Sequence, residues 1–261
     1  ERFMSFMEFM AEQGVVCVAN DHRGHGDSVK TAKDLGYMYE GGQEALIDDM
    51  RGVTEAIRRE YPDIPVFMLG HSMGSLAARV YAREDDSMLD GMILCGSPGY
   101  SYLAPLGYAI STFLNAIGLG RWRPKLAHRL TSDMYNHDFD SEGPMAWICS
   151  DPQVCKDYIE NPKTGFRFTV NANKVLMGLM MDAYSSHGSK AGKKEMPVIF
   201  LSGDDDPCTG GTHGLDKALA AMHAAGYMDI CKKTYPAMRH EVLNEIGKER
   251  VWQDVLDFMN L

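Results

Sequence analysis

Short, almost wholly apolar runs punctuate this chain at residues 15–19, 66–69, 92–95 and 198–201, and a further strand is expected over residues 230–235. The segments between them are long enough for helices and carry helical spacing. Phe3, Phe6, Met7 and Met10 fall at i, i+3, i+4 and i+7, and Gly14 then closes that helix. Leu46, Met50, Val53 and Ile57 mark a second amphipathic face that ends near Tyr61-Pro62, and Pro65 opens the next strand. A small-residue helix is expected over 75–83, another over 215–225, and a last one carries Val251, Val255, Leu256 and Met259. Strands that are apolar at every position are covered on both faces. Their alternation with helices predicts an α/β fold, a mostly parallel sheet wrapped by helices on both sides.

The rhythm stops at about Gly99 and resumes at Pro197. The intervening stretch is rich in aromatics, Met, Pro and Asn, and it is expected to be an insertion rather than a linker. The predicted organisation is therefore a core in two parts, 1–99 and 195–261, with a cap or lid over 100–194.

Charge and cysteine usage narrow the function classes. The chain has 26 basic and 36 acidic residues, a formal charge of −10, which excludes a nucleic-acid-binding surface. No apolar run approaches the roughly 18 residues of a transmembrane helix. None of the six cysteines lies in C-x-x-C spacing, so neither structural zinc nor a disulfide framework is expected. Cys17, Cys95 and Cys231 lie in or beside expected strands, where a thiol acts as a small buried hydrophobe. A reducing, cytoplasmic location fits. The first residues already read as helix interior, so the natural N-terminus, and any signal peptide with it, is expected upstream of Glu1.

Gly70-His71-Ser72-Met73-Gly74 matches G-x-S-x-G directly after an apolar strand and directly before a helix. The flanking glycines permit a sharp turn that presents Ser72 Oγ at the strand's C-terminal end. The following helix aims its first N–H groups, Met73 among them, at the place where an oxyanion develops. The competing interpretation is an ordinary glycine turn. A serine nucleophile needs a base, and the base needs an orienting carboxylate. Strand 198–201 runs into Ser202-Gly203-Asp204-Asp205-Asp206-Pro207, whose acids alternatively form a solvated turn. The strand at 230–235 runs into Pro236-Ala237-Met238-Arg239-His240, where the histidine is either the base or a surface loop residue. The chain order Ser72, Asp206, His240 is the Ser…Asp…His order of α/β-hydrolases, unlike those of chymotrypsin or subtilisin.

These segments, with Asn20-Asp21-His22-Arg23-Gly24-His25-Gly26 and the stretch from Tyr235 to Glu245, resemble the monoacylglycerol lipase and lysophospholipase branch of the α/β-hydrolases, also called serine aminopeptidase-like. The resemblance spans nearly the whole chain. It implies Ser72 as nucleophile, Asp206 as the acid at the fourth position of a G-x-x-D turn, His240 as base and Met73 N–H as an oxyanion donor. It also implies that 100–194 caps the site and sets acyl-chain specificity. The implied substrate is a monoacylglycerol or lysophospholipid ester, with no metal or organic cofactor and no nucleic-acid partner. A peptidase or thioesterase using the same three residues, and a catalytically silent fragment, are the alternatives.

His22 and His25 offer an H-x-x-H pair, but on a glycine-rich loop with no third ligand a structural turn is expected instead of a metal site. Cys208 is expected to pack near the pocket. Met177, Met180 and Met181, among nineteen methionines, suit either an adaptable lipid-binding surface or ordinary core. Phe113, Leu114, Trp122 and Trp147 are expected as cap core in preference to a membrane-touching face. The family's second oxyanion donor comes from a loop that would precede Glu1, and its third strand would too. The sequence therefore predicts an N-terminally truncated copy of a full hydrolase, and that the donor paired with Met73 lies outside it.

Overall fold

A computed structural model describes residues 1–131, 133–185 and 191–260. Helices α1 (Met4–Glu12) and α2 (Gly42–Glu60) precede strand β1 (Phe67–His71), and α3 (Met73–Glu84) leads to β2 (Gly91–Cys95). Between β2 and β3 (Val198–Gly203) lie α4 (Ala104–Leu114), α5 (Lys125–Thr131), α6 (Pro152–Glu160) and α7 (Val170–Ala183), with no strand among the described residues. Then come α8 (Gly211–Ala225), β4 (Ile230–Tyr235) and α9 (Glu249–Met259). Of the expected 100–194 insertion, residues 132 and 186–190 lie outside the described residues.

The four strands pair in parallel in the order β1-β2-β3-β4. Successive side chains of a strand point to opposite faces, and β2 and β3 are apolar on both. Met92, Leu94, Val198 and Phe200 join one buried cluster with α2, α3, α7 and α8. Ile93, Cys95, Ile199 and Leu201 join a second with α1 and α9. Each fully buried large side chain contributes on the order of 1.5–3 kcal/mol, so this two-sided burial is what holds helices to both faces. The registers His71↔Cys95, Cys95↔Leu201 and Gly203↔Tyr235 align the strands' C-terminal ends. The loops after β1, β3 and β4 consequently leave the sheet at one edge, which is where open α/β sheets place their sites.

Two expectations about the strands fail. Residues 15–19 are not a strand: they make no ladder, Val16 and Val18 are half exposed, and only Val15 and Cys17 pack against the α1–α9 cluster. An apolar run becomes a strand only when a neighbour takes its N–H and C=O groups, and here no described strand does so. Cys231 is exposed rather than buried. Its strand, β4, is an edge strand whose Lys232 and Lys233 pair with Asp216 and Asp254, the charged treatment that keeps open edges from pairing with other chains.

Candidate active site

The turn between β1 and α3 is tight for a reason visible in the packing. A Cβ on Gly70 would stand 2.5 Å from the Gly74 carbonyl oxygen and 2.8 Å from Ser75 Cα. Only glycine lets strand and helix approach this closely. Ser72 takes φ 54° and ψ −123°, a strained backbone for a residue with a side chain. It is held by Ser72 N–H donating to Cys95 O (3.0 Å) and by Ser75 Oγ–H donating back to Ser72 O (2.6 Å). Met73 is the first residue of α3, so its N–H has no acceptor within the helix.

Ser72, Asp206 and His240 are brought together from three loops at the same sheet edge. His240 Nδ1 lies 3.0 Å from Asp206 Oδ2, and His240 Nε2 lies 2.9 Å from Ser72 Oγ. A carboxylate only accepts, so the Nδ1 proton faces Asp206 and Nε2 is left to accept from the serine hydroxyl. Asp206 Oδ1 accepts the Cys208 N–H at 2.8 Å, which fixes the carboxylate's plane. Asp206 and His240 are 2% and 3% exposed, so their attraction is little screened. Burial pulls the His240 pKa down, but the adjacent Asp206 charge and hydrogen bond outweigh it, and with Glu241 they leave it above the ordinary value.

Two further rings pack on the His240 imidazole. His71 packs at 4.7 Å between centroids with its plane tilted 55°, and its Nε2–H donates to His240 O at 3.2 Å. Burial, then the neighbouring His240, pull the His71 pKa to about 4, so it stays neutral. Trp147 packs at 4.9 Å with its plane tilted 40°. It lies in the helical stretch between β2 and β3, backed by Tyr135 at 5.1 Å.

The residues flanking His240 tie that stretch down. The Arg239 guanidinium donates to both Glu142 carboxylate oxygens (2.8 Å each) and to Ala146 O (2.8 Å), and it lies 4.0 Å over the Phe139 ring. Buried Glu245 accepts from Arg239 N–H (2.8 Å) and Ser150 N–H (2.9 Å), and from the Ser150 hydroxyl. Glu241, paired with Arg2, donates its N–H to Ile148 O (2.8 Å). From sequence Trp147 is expected only as cap core, and Arg2, His71, Tyr135, Arg239, Glu241 and Glu245 are assigned no part in the site. The only sequence hint was the closeness of Arg239, Glu241 and Glu245 to His240.

The remaining candidates resolve as packing. Arg23 clasps Asp49 through two hydrogen bonds (2.8 and 2.9 Å) and donates to Glu40 O and Ala45 O, so the 20–26 loop is a tied turn. His25 lies edge-on to Phe166 and Phe168, and His22 is half-buried with its pKa pulled to about 4, first by desolvation and then by His25. No cluster of three or more His, Cys, Asp or Glu suited to a metal occurs among the described residues. Cys208 is buried beside Asp206, and burial followed by that carboxylate's charge pushes its thiol well up, away from the reactive thiolate. Met180 lies in the core, with Met177 and Met181 packed against it. Trp147 is buried as expected of core, but Phe113 and Trp122 are 64% and 52% exposed and Leu114 is half-buried, which corrects their assignment as core.

The family model for serine aminopeptidase, S33, matches residues 1–247. The chain is an S33-family α/β-hydrolase. This hydrolase is 24% identical over 252 residues to a monoacylglycerol lipase of Mycolicibacterium smegmatis, covering 94% of this chain and 78% of that protein. It is 25% identical over 265 residues to a monoglyceride lipase of Rattus norvegicus, covering 94% and 76%. A thermostable carboxyl esterase from Bacillus coagulans, solved with glycerol, superposes with a TM-score of 0.86 at 26% identity, covering 99% of this chain and 84% of that one. The monoacylglycerol lipase of Paleococcus ferrophilus shares the fold, with a TM-score of 0.71 at 19% identity and coverage of 99% and 88%. No described helix is long and apolar enough to cross a membrane.

Proposed function

We propose that this chain is a serine hydrolase that cleaves carboxylic esters of glycerol lipids, monoacylglycerols or lysophospholipids, through an acyl-enzyme. One observation carries the proposal: an unbroken hydrogen-bonded run from Ser72 Oγ through His240 to Asp206 at the edge of the sheet. Ser72 Oγ attacks the ester carbonyl while His240 Nε2 takes its proton. Asp206 holds the imidazole's tautomer and stabilises the imidazolium. Met73 N–H donates to the tetrahedral oxyanion at the α3 N-terminus. His240 then returns the proton to the departing alcohol; in the second half water gives a proton to His240 as its oxygen attacks the acyl carbon, and that proton passes to Ser72 Oγ as the carboxylic acid leaves. The glycerol-lipid preference rests on the relatives, whose names are monoacylglycerol and monoglyceride lipases. We assign residues 100–194 as the cap that shapes the acyl site between the core parts 1–99 and 195–261. Six unpaired thiols suit a reducing, cytoplasmic compartment.

Fold and catalytic residues do not set the substrate, so the test is a panel. Monoacylglycerol, lysophospholipid, thioester and aminoacyl-arylamide substrates are compared with the wild-type chain and Ser72→Ala. The proposal expects ester turnover that Ser72→Ala abolishes. Faster cleavage of the arylamide or thioester would move the chain to a peptidase or thioesterase, and turnover retained by Ser72→Ala would remove the serine mechanism.

A further inference from the structure

The segment carrying Trp147 and the loop carrying His240 are registered residue against residue. Arg239, just before His240, donates from its side chain to Ala146 O, just before Trp147. Glu241, just after His240, donates its N–H to Ile148 O, just after Trp147. With both flanks paired, the indole is set onto the imidazole at 4.9 Å, and Tyr135 packs on it as well. Trp147 is 7% exposed, so the contact is shielded from water. We propose that Trp147 is a positioning residue acting through His240: its indole face steadies the imidazolium formed when Ser72 loses its proton, so that turnover requires the segment around Trp147 to be docked. This rests on the role assigned to His240 above.

The physical basis is the negative face of the indole ring, which attracts a cation and does so most strongly where water is excluded. His71, the other ring on His240, is held neutral, and its smaller imidazole is a weaker partner for a cation than indole. The charged and titratable groups around His240 are Asp206 from the β3 loop, Glu241 and Arg239 from its own loop, His71 from β1 and Ser72 from the turn. The Arg239 charge is turned away onto Glu142. None of these groups changes when Trp147 is replaced.

The sign of the effect separates this proposal from simple packing. Trp147→Leu keeps an apolar cover but removes the π face, so the imidazolium loses support and the His240 pKa falls. If Trp147 acts only as a water shield, replacement admits water, favours the cation and raises that pKa. The test is an NMR titration of the His240 ring in the full chain, for wild type, Trp147→Phe and Trp147→Leu, each checked by circular dichroism and thermal melt. The expected result is a pKa lower by about 0.5–1 in Trp147→Leu and an intermediate value in Trp147→Phe. The kcat for ester hydrolysis should drop about threefold to tenfold in Trp147→Leu, with its acid limb displaced to lower pH. An unchanged or raised His240 pKa in either folded variant overturns the proposal, and Trp147→Phe alone decides it if Trp147→Leu does not fold. A lowered pKa in a chain whose wild type hydrolyses no ester keeps the indole–imidazole contact and overturns the hydrolase reading instead.

Discussion

Replacing Gly70 by alanine sets the tightness of the Ser72 turn against a single methyl group. Its Cβ would meet Gly74 O at 2.5 Å, Gly74 C at 2.8 Å and Ser75 Cα at 2.8 Å, all of them backbone atoms that no rotamer change can move. Ordinary contact begins near 3.4 Å, so strand and helix must separate by about 0.9 Å. Overpacking of this kind costs about 1–3 kcal/mol, a fall in Tm of roughly 2–12 °C for a chain of this size. The same shift moves Ser72 Oγ relative to His240 Nε2, now 2.9 Å apart. A displacement near 1 Å in a reacting pair costs about 10²-fold in rate. The matched control is Gly52→Ala, on the exposed face of α2, where the new Cβ meets nothing within 4 Å. There alanine should stabilise by about 0.5–1 kcal/mol through helix propensity, with activity unchanged. The assays are ester turnover and thermal melting of both variants. A Gly70→Ala chain with wild-type kcat and Tm would refute the account of the turn.

Three other outcomes follow from the site. Asp206→Asn keeps the side chain's size but removes the charge that orients His240, and kcat should fall about 10⁴-fold with little change in the melting curve. Because the Asp206 charge outweighs burial and raises the His240 pKa, the base protonates as pH falls through a value above the ordinary 6.5 or so; kcat/KM should therefore decline on the acid side from above that pH, and a limb lying below it would contradict the assigned balance. Glu245→Ala strips the acceptor from the Arg239 and Ser150 N–H groups and should cost about 2–3 kcal/mol, read from denaturant unfolding.

The parts of the fold readable from sequence are those set by local chemistry. Residues 92–95 and 198–201 are apolar at every position because both faces of β2 and β3 are covered, and that pattern marks a central parallel strand without knowledge of its neighbours. Residues 15–19 have the same pattern and are not a strand, because ladder formation depends on a partner that sequence periodicity does not register. Cys231 is exposed for a related reason: apolar Ile230 and a cysteine begin β4, but its position at the sheet edge leaves the middle of the strand in water. Phe113 and Trp122 show that aromatic character alone does not determine burial.

The convergence of Ser72, Asp206 and His240 was legible because the turn that presents Ser72 needs glycines at fixed offsets and the other two each follow the end of a recognisable strand. Trp147, Arg239 and Glu245 were not. Arg239 is 93 residues from Ala146 in sequence, and the pairing that sets Trp147 on His240 arises only when the segment around Ala146 packs against the loop carrying His240. No local pattern encodes such a contact; the bare side chains at 142, 147 and 150 look like those of any polar loop with one tryptophan.

The most direct measurement on the central claim is intact-mass analysis of the chain after reaction with a fluorophosphonate, followed by peptide mapping of the adduct. One adduct per chain is expected, on Ser72, lost in Ser72→Ala and strongly slowed in His240→Ala. Adducts on other residues, or undiminished labelling of the Ser72→Ala chain, would contradict it.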